Sequence, residues 1–507
     1  MHHLWRQIVM VGLLLVAAAP PVYAETYETL DGRIIDRRGL DAYDVGRDAS
    51  RGVLAPPITL DVPDPTLAGY FTLVDETRPL PEGWTLPPAW EDEDLRAAAS
   101  AETNYGVDFS DRAIPVRKRL RPDYEPLGVT VGSFRFFSAA QLGVEYDSNV
   151  FRKSQLGARQ ALAAGSIRSK DDLIYQTQGE VAARSNWGRH YLAFGAGFAN
   201  RQFRDNEDDS VFNYRGEVQG RIDIDRGLSV GGSFMAAQLH EARGGNFTPA
   251  DAAKPVPYML YRSTGSLTRI WNRLASVTEV EHSRLDYSDV PSLNGTILDQ
   301  QPRNGEVLKV RQTVEYEVRP GLVVVTEGRG DFRDYRGTPT SDPDSRGYMV
   351  RSGAAFEISR LTYGRVLGGY LSQWFEDPTV GKVDGFTFIG ELIWNPSPLW
   401  TVTLAASRDF SQSLTTDAPK ELDTIISLTI DHELRRNLIV SPRYRFEIDD
   451  FKVSGKQDVI HGLGMLVTYS TSRFAHLRAE YEYAVRDGPA TNDLTAHRIY
   501  LGAEVKF

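Results

Sequence analysis

Charged side chains at alternate positions are the feature of this chain with the most evident chemistry. They fall within residues 215–221, 309–317, 443–447 and 478–482. The set comprises Arg215, Glu217, Arg221, Lys309, Arg311, Glu315, Glu317, Arg443, Arg445, Glu447, Arg478, Glu480 and Glu482. Guanidinium and carboxylate groups hydrogen-bond to sugar hydroxyls and sugar acids, and rings of charge set the ion and solute selectivity of a pore. As a group, these residues are therefore candidates for lining a polar passage.

Catalysis and metal binding have much weaker support in the sequence. The chain has no Cys, which excludes thiolate catalysis, iron–sulfur clusters and Cys-bearing zinc sites. Beyond residue 24 the histidines are scattered without a nucleophile motif, so we expect no enzymatic activity. The acidic run from Arg204 to Asp209 lacks the spacing of a calcium-binding loop and is better interpreted as a solvated loop tip. We expect no cofactor and no metal, and the formal net charge of -11 argues against a nucleic-acid partner.

The segments that carry the charged residues have a period of two. In residues 211–224, Phe212 and Tyr214 lie at even positions, whereas Arg215 and Glu217 lie at odd positions. Successive side chains of a β-strand point to opposite faces, so each segment is predicted to be a strand with one apolar and one charged face. The same pattern recurs in residues 307–318, 438–449 and 474–485.

The lengths and connections of these strands favour a membrane barrel over a soluble β-sandwich. The predicted strands commonly exceed a dozen residues, whereas soluble strands have about 5–6 residues. Eight short turns alternate with nine longer loops, a pattern typical of outer-membrane barrels. The sequence therefore predicts an all-β fold: a single transmembrane antiparallel β-barrel of about 18 strands, with both termini on the short-turn, periplasmic side. Residues 189–203 and 274–287 alternate poorly, so 16 strands is the alternative.

The part of the chain before the barrel has a different composition. Arg6, the apolar run 8–18 and the small residue Ala24 are typical of a cleaved signal peptide, here residues 1–24. Residues 25–131 are rich in proline, which breaks helices and interior strands. We predict that they form a largely irregular extension, either periplasmic or folded into the lumen, and we assign the barrel to residues 132–507.

The end of the chain carries a pattern that indicates how the barrel is assembled. In the last ten residues, RIYLGAEVKF, apolar residues alternate up to a terminal aromatic residue. Tyr500, Gly502, Val505 and Phe507 resemble the C-terminal signal that the barrel-assembly machinery recognises. We therefore expect this machinery, outer-membrane lipid and lipopolysaccharide to be partners of the chain.

The first predicted barrel strand runs into a ten-residue stretch, GVEYDSNVFR, at residues 143–152. This stretch, with Tyr146, Asp147, Asn149 and Phe151, resembles the start of the putative beta-barrel porin type 2 family. The specific match covers ten residues, and the general resemblance covers the barrel. Asp147 and Asn149 are also turn formers that could simply end a strand.

The resemblance implies a function in transport. Members of that family are outer-membrane barrels often associated with exopolysaccharide synthesis and export. It therefore implies a channel that exports an exopolysaccharide or a capsular polysaccharide, with the polysaccharide and periplasmic export proteins as partners. Two alternatives remain open: an uptake porin for small anionic or sugar-like solutes, and a structural barrel or adhesin with a closed lumen.

Overall fold

The computed structural model describes residues 27–28, 34–35 and 113–507, apart from residues 120, 122, 188, 226, 242–248, 250, 338–342, 379, 413–419, 452–454 and 488–493. The predicted signal peptide and most of the proline-rich extension lie outside the described residues. In residues 113–131, a 3-10 helix spans Val116–Lys118 and a short strand spans Val129–Val131.

The barrel is closed and consists of 18 antiparallel strands, so the all-β prediction and the larger strand count are confirmed. Each strand pairs with its neighbours in sequence, and β18 closes the barrel by pairing with β1 from Arg498↔Asp147 to Lys506↔Ala139. The strands are β1 Phe134–Asp147, β2 Asp172–Ser185, β3 Tyr191–Phe203, β4 Val211–Asp225, β5 Leu228–Glu241, β6 Val256–Trp271, β7 Leu274–Tyr287, β8 Gly305–Arg319, β9 Leu322–Tyr335, β10 Ser345–Ser359, β11 Thr362–Phe375, β12 Lys382–Ser397, β13 Trp400–Gln412, β14 Lys420–Arg435, β15 Leu438–Phe451, β16 Lys456–Ser470, β17 Ala475–Asp487 and β18 Leu494–Lys506.

A few small elements accompany the barrel. Helix α1, Gln155–Ala163, lies in the connection from β1 to β2, and its N-cap Ser154 accepts a hydrogen bond from the Gly157 amide. Short 3-10 helices also span Glu207–Asp209 and Gln301–Arg303, and the strands Val290–Pro291 and Ile297–Leu298 pair with each other.

Among the described residues, no helix has both the length and the apolar character needed to cross a membrane.

The two faces of the strands have opposite character. On β4, Phe212 and Tyr214 point outward and are 50% and 42% exposed, whereas Asn213 between them is fully buried on the inner face. Apolar side chains on the outer face can contact lipid, and closure leaves every strand paired on both sides within a medium that offers no hydrogen bonds. The period of two in the sequence therefore corresponds to the lipid-facing and inward-facing sides of the wall.

The two ends of the barrel differ in their connections. At the short-turn end, tight connections such as residues 272–273 and 320–321 use the positive backbone angles of Asn272 and Gly321. The long-loop end carries the longer connections, such as residues 148–171 and 288–304. Four tryptophans lie at the short-turn end, of which three are strongly exposed, as expected for an aromatic girdle at a membrane interface: Trp187, Trp271, Trp394 and Trp400.

The strand β3, which alternates poorly in the sequence, is nevertheless a regular part of the wall. Its inner face carries Ala193, Gly195, Gly197 and Ala199 in place of charged residues. Gly195 and Gly197 pair with Glu217 and Arg215 on β4. Small residues at these positions leave space for the long side chains beside them, so from Ala193 to Ala199 the inner face of β3 has no charge pattern for the sequence to show.

Candidate functional site on the inner face of the barrel

The charged residues singled out in the sequence lie on the inner face of the barrel. They occupy inward positions of β4, β8, β15 and β17. They are more buried than the residues next to them in the sequence. Glu480 and Glu482 are 5% and 2% exposed, whereas Tyr481 between them points outward and is 43% exposed. The inner wall is therefore polar along these four strands, whereas inward residues of β9 to β13 include a buried apolar cluster with Val325 and Leu367.

Ion pairs join charged residues of β15 to β17 and of β17 to β18. Arg478 contacts Glu480 at 3.0 Å, and Arg443 reaches the same carboxylate at 3.7 Å. Arg445 contacts Glu447 at 2.8 Å. Because each of these arginines lies beside a carboxylate, the ion pairs hold the side chains in place and keep both signs of charge at the inner surface.

Other ion pairs on the inner wall, on β2, β4, β7 and β8, include several with longer separations. Arg215 lies 3.8 Å from Glu180, Lys309 lies 3.8 Å from Glu281, and Arg311 lies 3.7 Å from Glu279. Arg221 contacts Asp223 of its own strand at 3.0 Å. Glu217, Glu315 and Glu317 also lie on the inner face. The side chains of Arg311 and Arg221 are 30% and 37% exposed, whereas that of Lys309 is 6% exposed, so accessibility to a solute differs among these residues.

Replacing Arg443, Arg445 and Arg478 together by glutamine should shift the ion selectivity of the barrel toward cations. The substitutions remove three positive charges and leave Glu447 and Glu480 uncompensated at the inner surface. The measurement is the reversal potential in a KCl gradient across a planar bilayer. Replacing Arg284 by glutamine is the control, because this arginine lies on the outer face and is half exposed. An unchanged reversal potential for the triple variant would remove these residues from the conducting surface.

Sequence reasoning missed a fully buried ion pair next to the barrel seam. Glu145 of β1 contacts Arg201 of β3 at 2.7 Å, and the Gln176 amide donates to the same carboxylate at 3.0 Å. Arg498 of β18 pairs with Glu482 nearby. Glu145 lies within the GVEYDSNVFR stretch, but the surrounding small residues on β3 gave no periodic signal that would have identified Arg201 as its partner.

The rest of that stretch forms a tightly held turn at the long-loop end of β1. The Asp147 carboxylate accepts from the Asn149 amide at 2.8 Å and binds Arg152 at 2.9 Å. The Asn149 side chain is fully buried and bonds to the Lys153 backbone, and Phe151 is 3% exposed. The side chains of Asp147 and Asn149 therefore bond to residues of the same turn, as turn-forming residues do.

Tyr146, the remaining residue of the stretch, points outward. It is 40% exposed, and its hydroxyl donates to Asp171 at 3.2 Å. Tyr146 lies at the long-loop end of β1. A tyrosine, with its apolar ring and polar hydroxyl, suits the boundary between lipid and water.

The seam between β1 and β18 is filled by the ring of Tyr500. Gly143 and Gly502 face each other across the seam, and the fully buried Tyr500 ring lies over both on the inner face. A Cβ atom at Gly143 would lie 2.2 Å from the Tyr500 hydroxyl oxygen, and one at Gly502 would lie 2.1 Å from it. That hydroxyl accepts a hydrogen bond from the Gln141 amide at 2.8 Å. Tyr500 and Gly502 therefore have a structural role inside the wall.

Val505 and Phe507, the other residues of the C-terminal pattern, are on the outer face. Both are exposed, and Phe507 packs against Phe474 with 5.9 Å between ring centroids. The Phe507 backbone also pairs with Ser138 of β1. These side chains are accessible to a partner that approaches from the membrane.

Deletion of Phe507 should impair insertion of the chain into the outer membrane. It removes the aromatic end that resembles the assembly signal and also the backbone pair with Ser138. The measurement is the amount of heat-modifiable barrel in the outer-membrane fraction, with Phe474→Leu as a control that removes only the ring contact. A normal amount of the deletion variant would contradict the assembly role.

The N-terminal segment, residues 113–121, is bound against the inner wall at the short-turn end. The Val116 amide donates to the Thr401 hydroxyl at 2.8 Å, and its side chain is fully buried. Arg117 contacts Asp431 at 2.7 Å, and Arg121 contacts Glu433 at 3.0 Å. Thr401, Asp431 and Glu433 are inward residues of β13 and β14, so this segment occupies part of the short-turn mouth.

At the long-loop end, β13 separates from β12 and folds over the inner face of the wall, while β14 stays paired with β15 as far as Glu421↔Phe451. Pairing between β12 and β13 ends at Phe388↔Arg408, although β13 and β14 stay paired beyond that point. Asp409 then contacts Arg329 on β9 at 3.0 Å, and Phe410 packs against Phe375 on β11 at 5.9 Å between ring centroids. Asp409 and Phe410 therefore narrow the barrel at this level.

The connection between β7 and β8 also folds inward at the long-loop end. Arg303 is buried there, contacts Glu241 at 2.7 Å and lies 4.1 Å above the ring of Tyr287. The Tyr287 hydroxyl donates to the same carboxylate at 3.1 Å. Tyr287 also belongs to a buried apolar cluster that includes Leu239 and Leu260, so this part of the inner face is packed.

The acidic run 204–209 forms a loop that is hydrogen-bonded to the start of β2. Asp172 accepts hydrogen bonds from the Asn206 amide and side chain, both at 2.8 Å. The pKa of Asp205 is lowered because its carboxylate accepts a hydrogen bond from Arg204. Within the described part of the chain, no group of three or more His, Asp or Glu residues is arranged to hold a metal ion.

Known proteins that resemble this chain match the part that forms the barrel. The profile of a family described as "Putative beta-barrel porin 2" matches residues 121–507. No curated protein matches the sequence. Among solved structures, OccK2 (OpdF) of Pseudomonas aeruginosa has 10% identity and a TM-score of 0.43 over 74% of this chain and 97% of that chain. OpdK of Pseudomonas aeruginosa with vanillate has 12% identity and a TM-score of 0.42 over 73% and 99%. OccAB3 of Acinetobacter baumannii has 9% identity and a TM-score of 0.40 over 73% and 99%.

Proposed function

Because the chain belongs to the putative beta-barrel porin 2 family, an outer-membrane channel family, we propose that it is a gated channel that exports an exopolysaccharide or capsular polysaccharide. The observation that carries this proposal is the contrast between the two faces of the wall. The outer face is apolar, whereas the inner face presents guanidinium and carboxylate groups along strands on all sides of the barrel. A polar polymer can exchange hydrogen bonds with such groups as it moves past them.

The proposed direction is outward, and it is supported by the association of this family with polysaccharide synthesis and export. In bacterial barrels the short turns face the periplasm, so the start of β1 and the end of β18 would both lie on the periplasmic side. The segment 113–121 would then close the side from which a polymer arrives. We propose that a periplasmic export protein displaces this segment, while outer-membrane lipid and lipopolysaccharide surround the apolar outer face.

A deletion strain tests this function. Loss of the chain should abolish the secreted polymer and leave growth on small anionic or sugar-like solutes unchanged, and the wild-type chain should restore secretion. Normal polymer with impaired uptake of solutes would instead establish an uptake porin. Normal polymer and normal uptake, with a change in envelope integrity or adhesion, would establish a structural barrel or adhesin.

A further inference from the structure

We propose that Arg329, Arg333 and Arg351 form a binding site for the carboxylate groups of an acidic polysaccharide, and that Asp409 occupies this site in the resting channel. The inference rests on the proposed function and names the class of polymer: a chain that contains uronic acids. The site lies on β9 and β10 of the inner wall, below the inward hairpin end.

The first observation is the local balance of charge. On the inner face between Val325 and Tyr335 of β9, and between Ser345 and Gly353 of β10, the wall supplies three guanidinium groups and two carboxylates, those of Glu327 and Asp331. These stretches of β9 and β10 therefore carry one excess positive charge, and Arg311 of the neighbouring β8 lies 3.5 Å from Glu327. Asp409 supplies the balancing carboxylate from β13, on the other side of three intervening strands.

The second observation is the geometry of that carboxylate. Its two oxygen atoms accept from the two terminal nitrogens of Arg329 at 3.2 and 3.0 Å, and one oxygen lies 3.8 Å from Arg351. This is the two-pronged arrangement in which arginine recognises carboxylates. Arg333 lies 5.0 Å above the ring of Phe410, so the residue after Asp409 is held by the same group of arginines.

Asp409 is more accessible from the lumen than the arginines that it contacts. The side chains of Arg329 and Arg351 are 5% and 6% exposed, whereas Asp409 is 30% exposed. A carboxylate arriving through the lumen thus meets Asp409 first and can replace it on the arginines. Such an exchange leaves the arginines paired throughout, and so it avoids the high cost of a bare buried charge. A neutral sugar offers no such exchange.

Replacement of Asp409 would also release the hairpin from β9. Beyond Phe388↔Arg408 the end of β13 has no ladder to β12, although β14 stays paired with β15 as far as Glu421↔Phe451. The approach of β13 to β9 therefore depends on Asp409, on Phe410 and on the packing of Leu422 against Leu371 and Val383. Binding of the polymer and widening of the barrel at this level are therefore linked events.

Calorimetric titration of the refolded mature chain with a hexamer of galacturonic acid tests the proposal. D409N removes the carboxylate that competes with the probe for Arg329 and Arg351. The variant should therefore bind the probe about tenfold more tightly than the wild type. Adding R329Q and R351Q to D409N should remove the gain. The control is D450N, which removes a carboxylate paired with Arg408 on the opposite face of the same hairpin and should match the wild type.

Two results would overturn the inference: equal affinity of D409N and the wild type, or an equal gain for neutral maltohexaose, which would mean that the variant merely opens the barrel. R329Q/R351Q in the wild-type background gives an independent test and should lower the affinity for the acidic hexamer. Because these titrations measure binding without transport, their failure is distinct from failure of the export proposal, which the deletion strain decides.

Discussion

Gly143→Ala and Gly502→Ala should each lower the free energy of unfolding of the barrel by about 1–3 kcal/mol. A methyl group at either position would overlap the Tyr500 ring, with 2.2 and 2.1 Å to its hydroxyl oxygen. The ring is fully buried over the seam and would lose its hydrogen bond from Gln141 if it moved away. The measurement is urea unfolding of the refolded chain in detergent micelles, followed by the heat-modifiable mobility of the barrel.

The control for the seam variants is Gly216→Ala. This glycine lies on the outer face of β4, and an added Cβ would meet no atom within 4 Å. The double variant at Gly143 and Gly502 adds a second test. Both methyl groups displace the same ring, so the second substitution should cost less than the first. Fully additive losses, or a loss in Gly216→Ala as large as at the seam, would show that Tyr500 is not the cause.

Replacing Arg117 and Arg121 together by alanine should convert a mostly closed channel into a mostly open one. These arginines hold residues 113–121 to Asp431 and Glu433 at the short-turn mouth. Hydrogen bonds to charged groups each contribute about 1.5–3 kcal/mol, so losing two should raise the population of the released segment more than tenfold. The measurement is the open probability of single channels of the mature chain in planar bilayers.

The matched control for this experiment is Arg168→Ala. Arg168 also pairs with a carboxylate, that of Asp208 at 2.9 Å, but both side chains are more than half exposed in the long loops. Such surface pairs contribute about 0–1 kcal/mol, so this variant should conduct like the wild type. A wild-type channel that is already steadily open would place the segment outside the conducting path, and a double variant that stays silent would assign closure to the inward hairpin instead.

The strand count and the two faces could be predicted because both depend on local sequence. Lipid and the polar interior lie on opposite sides of a wall one residue thick, so the pattern of Phe212, Asn213 and Tyr214 shows directly which side each occupies. The alternation of short turns and long loops likewise needs no knowledge of distant residues. Even β3, where the inner face is small rather than charged, was bounded correctly by the turn and loop on either side of it.

The contents of the lumen could not be predicted in the same way, because they depend on residues far apart in the chain. Arg117 and Asp431 are 314 positions apart, and nothing near either residue indicates the pair. Asp409 belongs to a strand with ordinary alternation, and only the early end of its ladder with β12 brings it to Arg329. The sequence thus indicated which side chains face inward, but not which ones meet across the barrel.

The short hairpin before β1 has a consequence for neighbouring molecules in the membrane. Strand β18 covers β1 only as far as Ala139, with Phe507 pairing at Ser138, so residues 134–136 would otherwise present free amides and carbonyls beside the seam. Residues 129–131 pair with this stretch instead. Unpaired strand edges are templates for adding strands from other chains. The barrel therefore covers its own exposed strand edge beside the seam, where a strand of a second copy could otherwise pair, and this cover lies on the same stretch of chain that leads from the mouth segment into the wall.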